Sequence, residues 1–238
     1  FPVLIMELAE GTLHDMMQYE QKGNEIPMAE KIKIIREIVN AISHMHNQGV
    51  LHRDLCPGNF FAVARGKKIN YVLGDFGSAK SPAGMNGGSQ ANKTIGHSSY
   101  VDPARFDEKY KDDFRMDIYS LGIIIVEVLM GKSWQTVFGE ENISHVLSID
   151  FEKDFLLKEA PAHIDAKSII PVVQKAVKRS PEDRYNNIDD FRKVLFAALE
   201  ITTSGDTTID TTKSRNREPQ ARNCDFYFTI PLPFETTD

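Results

Sequence analysis

Apolar side chains along this chain recur with two spacings, one helical and one strand-like. Between residues 27 and 48, Ile32, Ile35, Ile38, Ile42 and Met45 fall three and four apart on one stripe, which predicts an amphipathic helix. Pro27 suits its first turn, and Gly49 suits the position after its last. Residues 117–130 predict a second helix, apolar on nearly all sides and closed by Gly131; such a helix belongs inside a core. Phe191, Leu195 and Leu199 share one face of a predicted final helix over 188–199, entered through Ser180-Pro181-Glu182-Asp183-Arg184-Tyr185. Segments 13–19, 142–148 and 166–178 also read as helices. Short β-type runs stand at 3–6, 60–63 and 69–73, and Arg65-Gly66-Lys67-Lys68 joins the last two into a predicted hairpin.

Polar stretches complete the outline. Residues 78–96 are rich in Gly, Ser, Asn and Lys, and a long polar segment inside a compact domain is usually functional or mobile. From 202 to 223 Thr, Ser, Asp, Arg and Asn dominate with no apolar period, which predicts a disordered tail. Phe226-Tyr227-Phe228-Thr229-Ile230 reads as a docking strand or a short interaction motif. The chain has 238 residues, 41% hydrophobic and 26% charged, an ordinary globular composition with room for one large core. A formal net charge of -6 argues against wholesale nucleic-acid binding through a basic surface. Cys56 and Cys224 stand in no metal-ligand or redox spacing, which suits a reducing compartment. The longest apolar run, 121–130, is interrupted by Glu127 and is far short of a membrane span. The chain opens on Phe1-Pro2, without an initiator Met, so further sequence is expected upstream.

Chemistry concentrates between the first long helix and the hairpin. Leu51-His52-Arg53-Asp54-Leu55-Cys56-Pro57-Gly58-Asn59 offers a carboxylate and an amide, and Gly74-Asp75-Phe76-Gly77 adds a second carboxylate after the next strand. Asp and Asn favour turns in any case. A base, a metal-binding amide and a metal-binding carboxylate in that order are also what metal-assisted phosphoryl transfer needs. The pairing resembles the protein-kinase signature of a catalytic loop HRDLxxxN followed by DFG. The resemblance spans residues 3–199 and is to the hinge and the large lobe of a Ser/Thr-like kinase. It implies an α+β, protein-kinase-like fold: a mainly α-helical C-terminal lobe with small β-hairpin elements, the small lobe largely missing. On that basis residues 1–12 are the last small-lobe strand and hinge, 13–200 the large lobe and 201–238 the tail.

The resemblance also implies roles. Asp54 would orient the acceptor hydroxyl and take its proton, while Asn59 and Asp75 would hold Mg2+. Met6 would be the gatekeeper, and the backbone of Glu7, Leu8 and Ala9 would meet the adenine of ATP. His52 and Phe76 would stack and align the two loops, and Asp117 would hold the catalytic-loop backbone. Arg53 would bind a phosphate added to the 78–96 segment, with Thr94 the nearest acceptor and Ser89 behind it. The implied activity is Mg-ATP-dependent transfer of the γ-phosphoryl group to a protein hydroxyl, by an intracellular, cytoplasmic protein.

Departures from the pattern are equally specific. Cys56 stands where Ser/Thr kinases carry a lysine that contacts the transferring phosphate, and His97 follows Gly96 where they carry threonine. Ala104 replaces the Glu of the APE motif; its usual partner remains as Arg184, and Asp102, two positions earlier, is a candidate substitute. No glycine-rich loop, strand lysine or helical Glu partner precedes the hinge, so the chain as it stands is expected to bind ATP poorly. Asp54, Asn59 and Asp75 favour a kinase; Cys56, His97 and Ala104 favour the alternative, a pseudokinase that acts as a scaffold or allosteric binder. A small-molecule kinase ranks third, because Tyr100 to Pro103 resemble a protein-docking loop.

Overall fold

The structure is a computed structural model, and it describes residues 7–66, 68–79, 99–107, 111–132 and 166–204. Met6, Ser89, Thr94, Gly96, His97 and the segments at 142–148 and 205–238 lie outside them. Strand β1 (Gly11–Thr12) runs straight into helix α1 (Leu13–Gln21), and helix α2 (Met28–Asn47) follows. The hairpin is β2 (Phe60–Arg65) and β3 (Lys68–Leu73); α3 (Phe114–Met130), α4 (Ala166–Ala176) and α5 (Ile188–Ser204) follow among the described residues. The three strands form one antiparallel sheet in the order β1-β2-β3. Among the described residues no helix is long and apolar enough to cross a membrane.

Helix α2 lies at the centre of the packing, against β3, α3 and α5. Its predicted stripe is buried, and Ile34 and Val39 are fully buried too, so the interior surrounds more of the helix than one stripe. The helix stops at Gly49, whose φ of +72° is the left-handed conformation that glycine adopts without penalty. There the amide of Gly49 donates to the carbonyl of His46 at 2.8 Å, and Val50 donates to Met45 at 3.2 Å, the two bonds of a Schellman ending. This ending turns the chain into the catalytic loop. Helix α3 starts earlier than its pattern indicates, at Phe114, because the Asp113 side chain caps it by accepting from Arg115 N at 2.7 Å. It is buried over nearly its whole surface, as its composition predicts. Helix α5 runs through Ser204, past the change in composition at 201.

Strand β1 is not visible in the apolar pattern. Thr12 pairs with Phe61 in the sheet and also caps α1, accepting from Asp15 N at 3.3 Å while its own amide donates to Asp15 Oδ2 at 2.8 Å. One residue therefore joins the segment after Glu7, Leu8 and Ala9 to both the sheet and the helical body.

Lys31, Glu37 and Asp102 are three of the buried ionisable side chains that join the elements. Lys31 on α2 pairs with Glu20 of α1 at 2.5 Å and donates to the Leu129 carbonyl at 3.2 Å, satisfying an acceptor that the end of α3 leaves open. Glu37 on α2 reaches the free edge of β3, accepting from Tyr71 N at 2.8 Å and from Asn70 Nδ2 at 3.0 Å. Burial pushes its carboxyl up to about 7, against the opposing pull of those two hydrogen bonds and of Lys33; Glu30 adds a further upward push. The third is the partner expected for Arg184. Asp102 takes its guanidinium in a bidentate pair at 2.5 and 2.7 Å, both side chains fully buried. The carbonyls of Lys178, Arg115 and Arg179 accept the remaining donors, and the guanidinium lies 4.8 Å over the Tyr119 ring. A buried ion pair is tolerable when every donor is occupied in this way.

Two consequences are measurable. Removing the Asp102 carboxylate strands a buried guanidinium, so Asp102→Ala should lower unfolding free energy by about 3–5 kcal/mol in urea titrations. Glu37 has a folded-state pKa above its unfolded value, so folding takes up a proton. Its protonated form stabilises fully below the ordinary carboxylate range, and that contribution is lost as pH rises through about 7. Wild-type stability relative to Glu37→Gln should therefore increase as pH falls from about 7 towards 4.5. Parallel pH profiles for the two proteins would contradict this assignment.

Candidate active site

The catalytic loop takes its shape from a carboxylate on the central helix. Asp117, buried near the start of α3, accepts from the backbone amides of His52 at 2.8 Å and Arg53 at 2.9 Å. It accepts a third bond, at 2.9 Å, from His46 in the last turn of α2; the carboxylate is the acceptor, so Nε2 of His46 carries the proton. These bonds hold Arg53 at a φ of +70°, a left-handed backbone that is costly for a side chain with a Cβ. Asp54 follows directly, half-buried, and Leu55 behind it is 2% exposed and anchors the loop to the core.

Asn59 closes the other end. Its amide nitrogen Nδ2 donates to the Asp54 carbonyl at 2.7 Å, and its backbone amide donates to Cys56 at 3.0 Å across the Pro57–Asn59 turn. Fixing Nδ2 sets the direction of the side-chain amide. Its Oδ1 has no protein donor among the described residues.

The hairpin register brings the second motif alongside. Phe60 pairs with Leu73, so the residues before β2 and those after β3 emerge at the same end of the sheet. Gly74 N donates to the Asn59 carbonyl at 2.9 Å, and His52 Nε2 donates to the Gly74 carbonyl at 3.0 Å. Gly74 has no alternative here: a Cβ would fall 2.6 Å from the Phe61 ring. Asp75 also has a left-handed backbone, at φ 54°, stabilised by its Oδ1 accepting from Gly77 N at 3.3 Å. The Phe76 ring stands 5.5 Å from that of His52, the contact the resemblance implies, yet it remains 52% exposed.

The structure thus gathers Asp54, Asn59 and Asp75 at one end of the hairpin, with His52 as the cross-link. Glu7 and Leu8 are exposed and Ala9 half-buried, in a segment outside any strand. Cys56 is partly buried, and burial first, then the Asp54 charge, raises its thiol to about 11, so it stays neutral at physiological pH. It supplies no positive charge in place of the lysine. The docking segment is tied to α3: Tyr100 OH donates to Glu127 at 2.9 Å, and Ser120 Oγ donates to the Tyr100 carbonyl at 2.7 Å. Glu127, the interruption in the apolar run, is fully buried and serves that contact.

Sequence reasoning did not find His46, Asp112 or Arg105 near the catalytic loop. The Arg53 guanidinium donates to the Ser78 carbonyl at 2.7 Å and to Asp112 Oδ2 at 3.0 Å, and Arg105 donates to the Arg53 carbonyl at 3.3 Å. His46 had a weak signal, a histidine on the inward side of a helix. Asp112 and Arg105 had none, since nothing in their local spacing marks a partner more than fifty residues away.

A family model described as "Protein kinase domain" matches residues 2–196. Among curated proteins, the chain is similar to serine/threonine-protein kinase PknB of Mycobacterium tuberculosis strain H37Rv, 33% identical over 205 residues, covering 82% of this chain and 30% of that protein. PknB of Mycobacterium leprae is 30% identical over 202 residues, with the same coverage. The probable serine/threonine-protein kinase zyg-1 of Caenorhabditis elegans is 29% identical over 134 residues, covering 56% of this chain and 18% of that protein. The chain spans less than a third of the length of these relatives. A match over residues 2–196, on a fold that places two loops of kinase type side by side, shows that this chain belongs to the protein kinase domain family.

Proposed function

We propose that this chain supplies the base and the metal-holding face of a Ser/Thr protein kinase, which transfers the γ-phosphoryl group of ATP to a protein hydroxyl. The observation that carries the reading is the cross-linked pair of loops: Asp117 fixes the backbone before Asp54, and Gly74 bonded to Asn59 and His52 sets Asp75 beside it. Relatives named as serine/threonine-protein kinases support the class of acceptor.

Asn59 Oδ1 and the Asp75 carboxylate are hard oxygen donors, which fits Mg2+. Held there, Mg2+ would offset the charge that develops on the phosphate oxygens. The remaining chemistry belongs to the chain itself. Asp54 orients the acceptor hydroxyl and takes its proton as the hydroxyl oxygen bonds to the γ-phosphorus and the bond to the β-phosphate oxygen breaks. Glu7, Leu8 and Ala9 offer backbone groups to the adenine edge.

A second reading, a pseudokinase that acts by binding, is favoured by one specific observation. The neutral thiol of Cys56 leaves the transferring phosphate without the usual catalytic-loop cation. The two readings separate on one measurement. In the full-length protein with Mg-ATP and a panel of Ser/Thr-containing proteins, Asp54→Asn should lower phosphate transfer by about 10²–10⁴-fold while the thermal midpoint stays close to wild type. Absence of transfer by the wild type under those conditions would select the pseudokinase.

A further inference from the structure

The resemblance gives Arg53 a phosphate on the 78–96 segment as its partner; among the described residues its side chain sits instead in an electrostatic junction within the chain. Two guanidinium groups approach one carboxylate. Arg53 Nη1 lies 3.0 Å from Asp112 Oδ2, and Arg105 Nε lies 4.0 Å from Asp112 Oδ1. Arg105 also donates to the Arg53 carbonyl, the peptide oxygen immediately before Asp54. Arg53 Nε meanwhile holds the Ser78 carbonyl, just past the Asp75 turn. The two guanidinium groups therefore touch the catalytic loop and the turn after Asp75, and Asp112, on the segment leading into α3, faces both of them. The junction is well shielded: the side chains of Arg53, Arg105 and Asp112 are 15%, 9% and 21% exposed.

Two guanidinium groups brought this close repel each other, and burial adds to the cost. An anion between them offsets that cost. A phosphate dianion would do so, as would any carboxylate of suitable reach. In this fold the anion is part of the chain.

We propose that Asp112 is a built-in counter-ion for Arg53 and Arg105, taking the place of a phosphoryl group. The catalytic loop then keeps its geometry without modification of the protein. Asp112 acts on Asp54 through Arg53 and Arg105, so it is a positioning residue. For its effect on turnover this inference rests on the kinase reading; for anion binding it stands alone.

The test uses the full-length protein and inorganic phosphate as the probe. Phosphatase treatment should leave wild-type transfer unchanged. Asp112→Asn should lower kcat by about tenfold to a hundredfold with little change in KM for ATP, as expected of a misplaced base. Millimolar phosphate should recover part of that loss and raise the thermal midpoint of Asp112→Asn, while leaving wild type unmoved. Asp112→Glu should behave as wild type. Adding Arg53→Gln to Asp112→Asn should abolish the phosphate response.

A phosphatase-sensitive wild type, or an Asp112→Asn protein with full kcat, would overturn the proposal. So would a variant whose midpoint ignores phosphate. If the wild type transfers no phosphate, the kinase reading fails separately, and the phosphate-dependent midpoint of Asp112→Asn then decides alone. If that variant does not fold, wild type decides by the same readout: a midpoint raised by phosphate overturns the proposal, and an unmoved one supports it.

Discussion

The carboxylate of Asp117 carries the geometry on which the site depends. It accepts two consecutive backbone amides of the catalytic loop and the imidazole of His46, all at 2.8–2.9 Å. A hydrogen bond to a charged group contributes about 1.5–3 kcal/mol, so three of them outweigh the roughly 1–3 kcal/mol that a left-handed Arg53 costs. The balance explains why an unfavourable backbone is stable at the residue that precedes Asp54. It also explains why α3 must be buried so completely, since a carboxylate on a mobile helix could not hold a loop to this tolerance.

Around that anchor, the site is assembled by side chains that bond to backbone groups. Asn59 is fixed by the Asp54 carbonyl, and Gly74 by the Asn59 carbonyl and His52. The side chains expected to act, Asp54, Asn59 and Asp75, are thereby placed by bonds in which at least one partner is a backbone group. Substitutions such as Cys56 and Ala104 can accumulate inside this framework without dismantling it. The ion pair with Arg184 survives the change at 104 because Asp102 reaches the same guanidinium from two positions earlier.

Local features of this protein were legible in its sequence, and distant pairings were not. Helices α2 and α3 followed from apolar spacing, and the two loops followed from residue types at fixed separations. The Asp102 substitution was legible because the basic partner, Arg184, remained and an acid stood nearby. Strand β1 is two residues long and carries no period, so pattern could not reveal it. The partnership of Asp112 with Arg53 crosses 59 residues, and that of Lys31 with the Leu129 carbonyl crosses 98. Such contacts are decided by how helices come together, which no local window contains.

The position of Asp117 also has a consequence for synthesis. Its bonds reach back 65 and 64 residues, to His52 and Arg53. A ribosome delivers Asp54 first and Asp117 much later, so an emerging chain that has passed the hairpin still holds Arg53 in whatever conformation is cheapest. Closing a loop of this length costs entropy that only the docking of α3 returns. The site is thus a late product of folding. A nascent chain interrupted before α3 carries Asp54, Asn59 and Asp75, but not their arrangement.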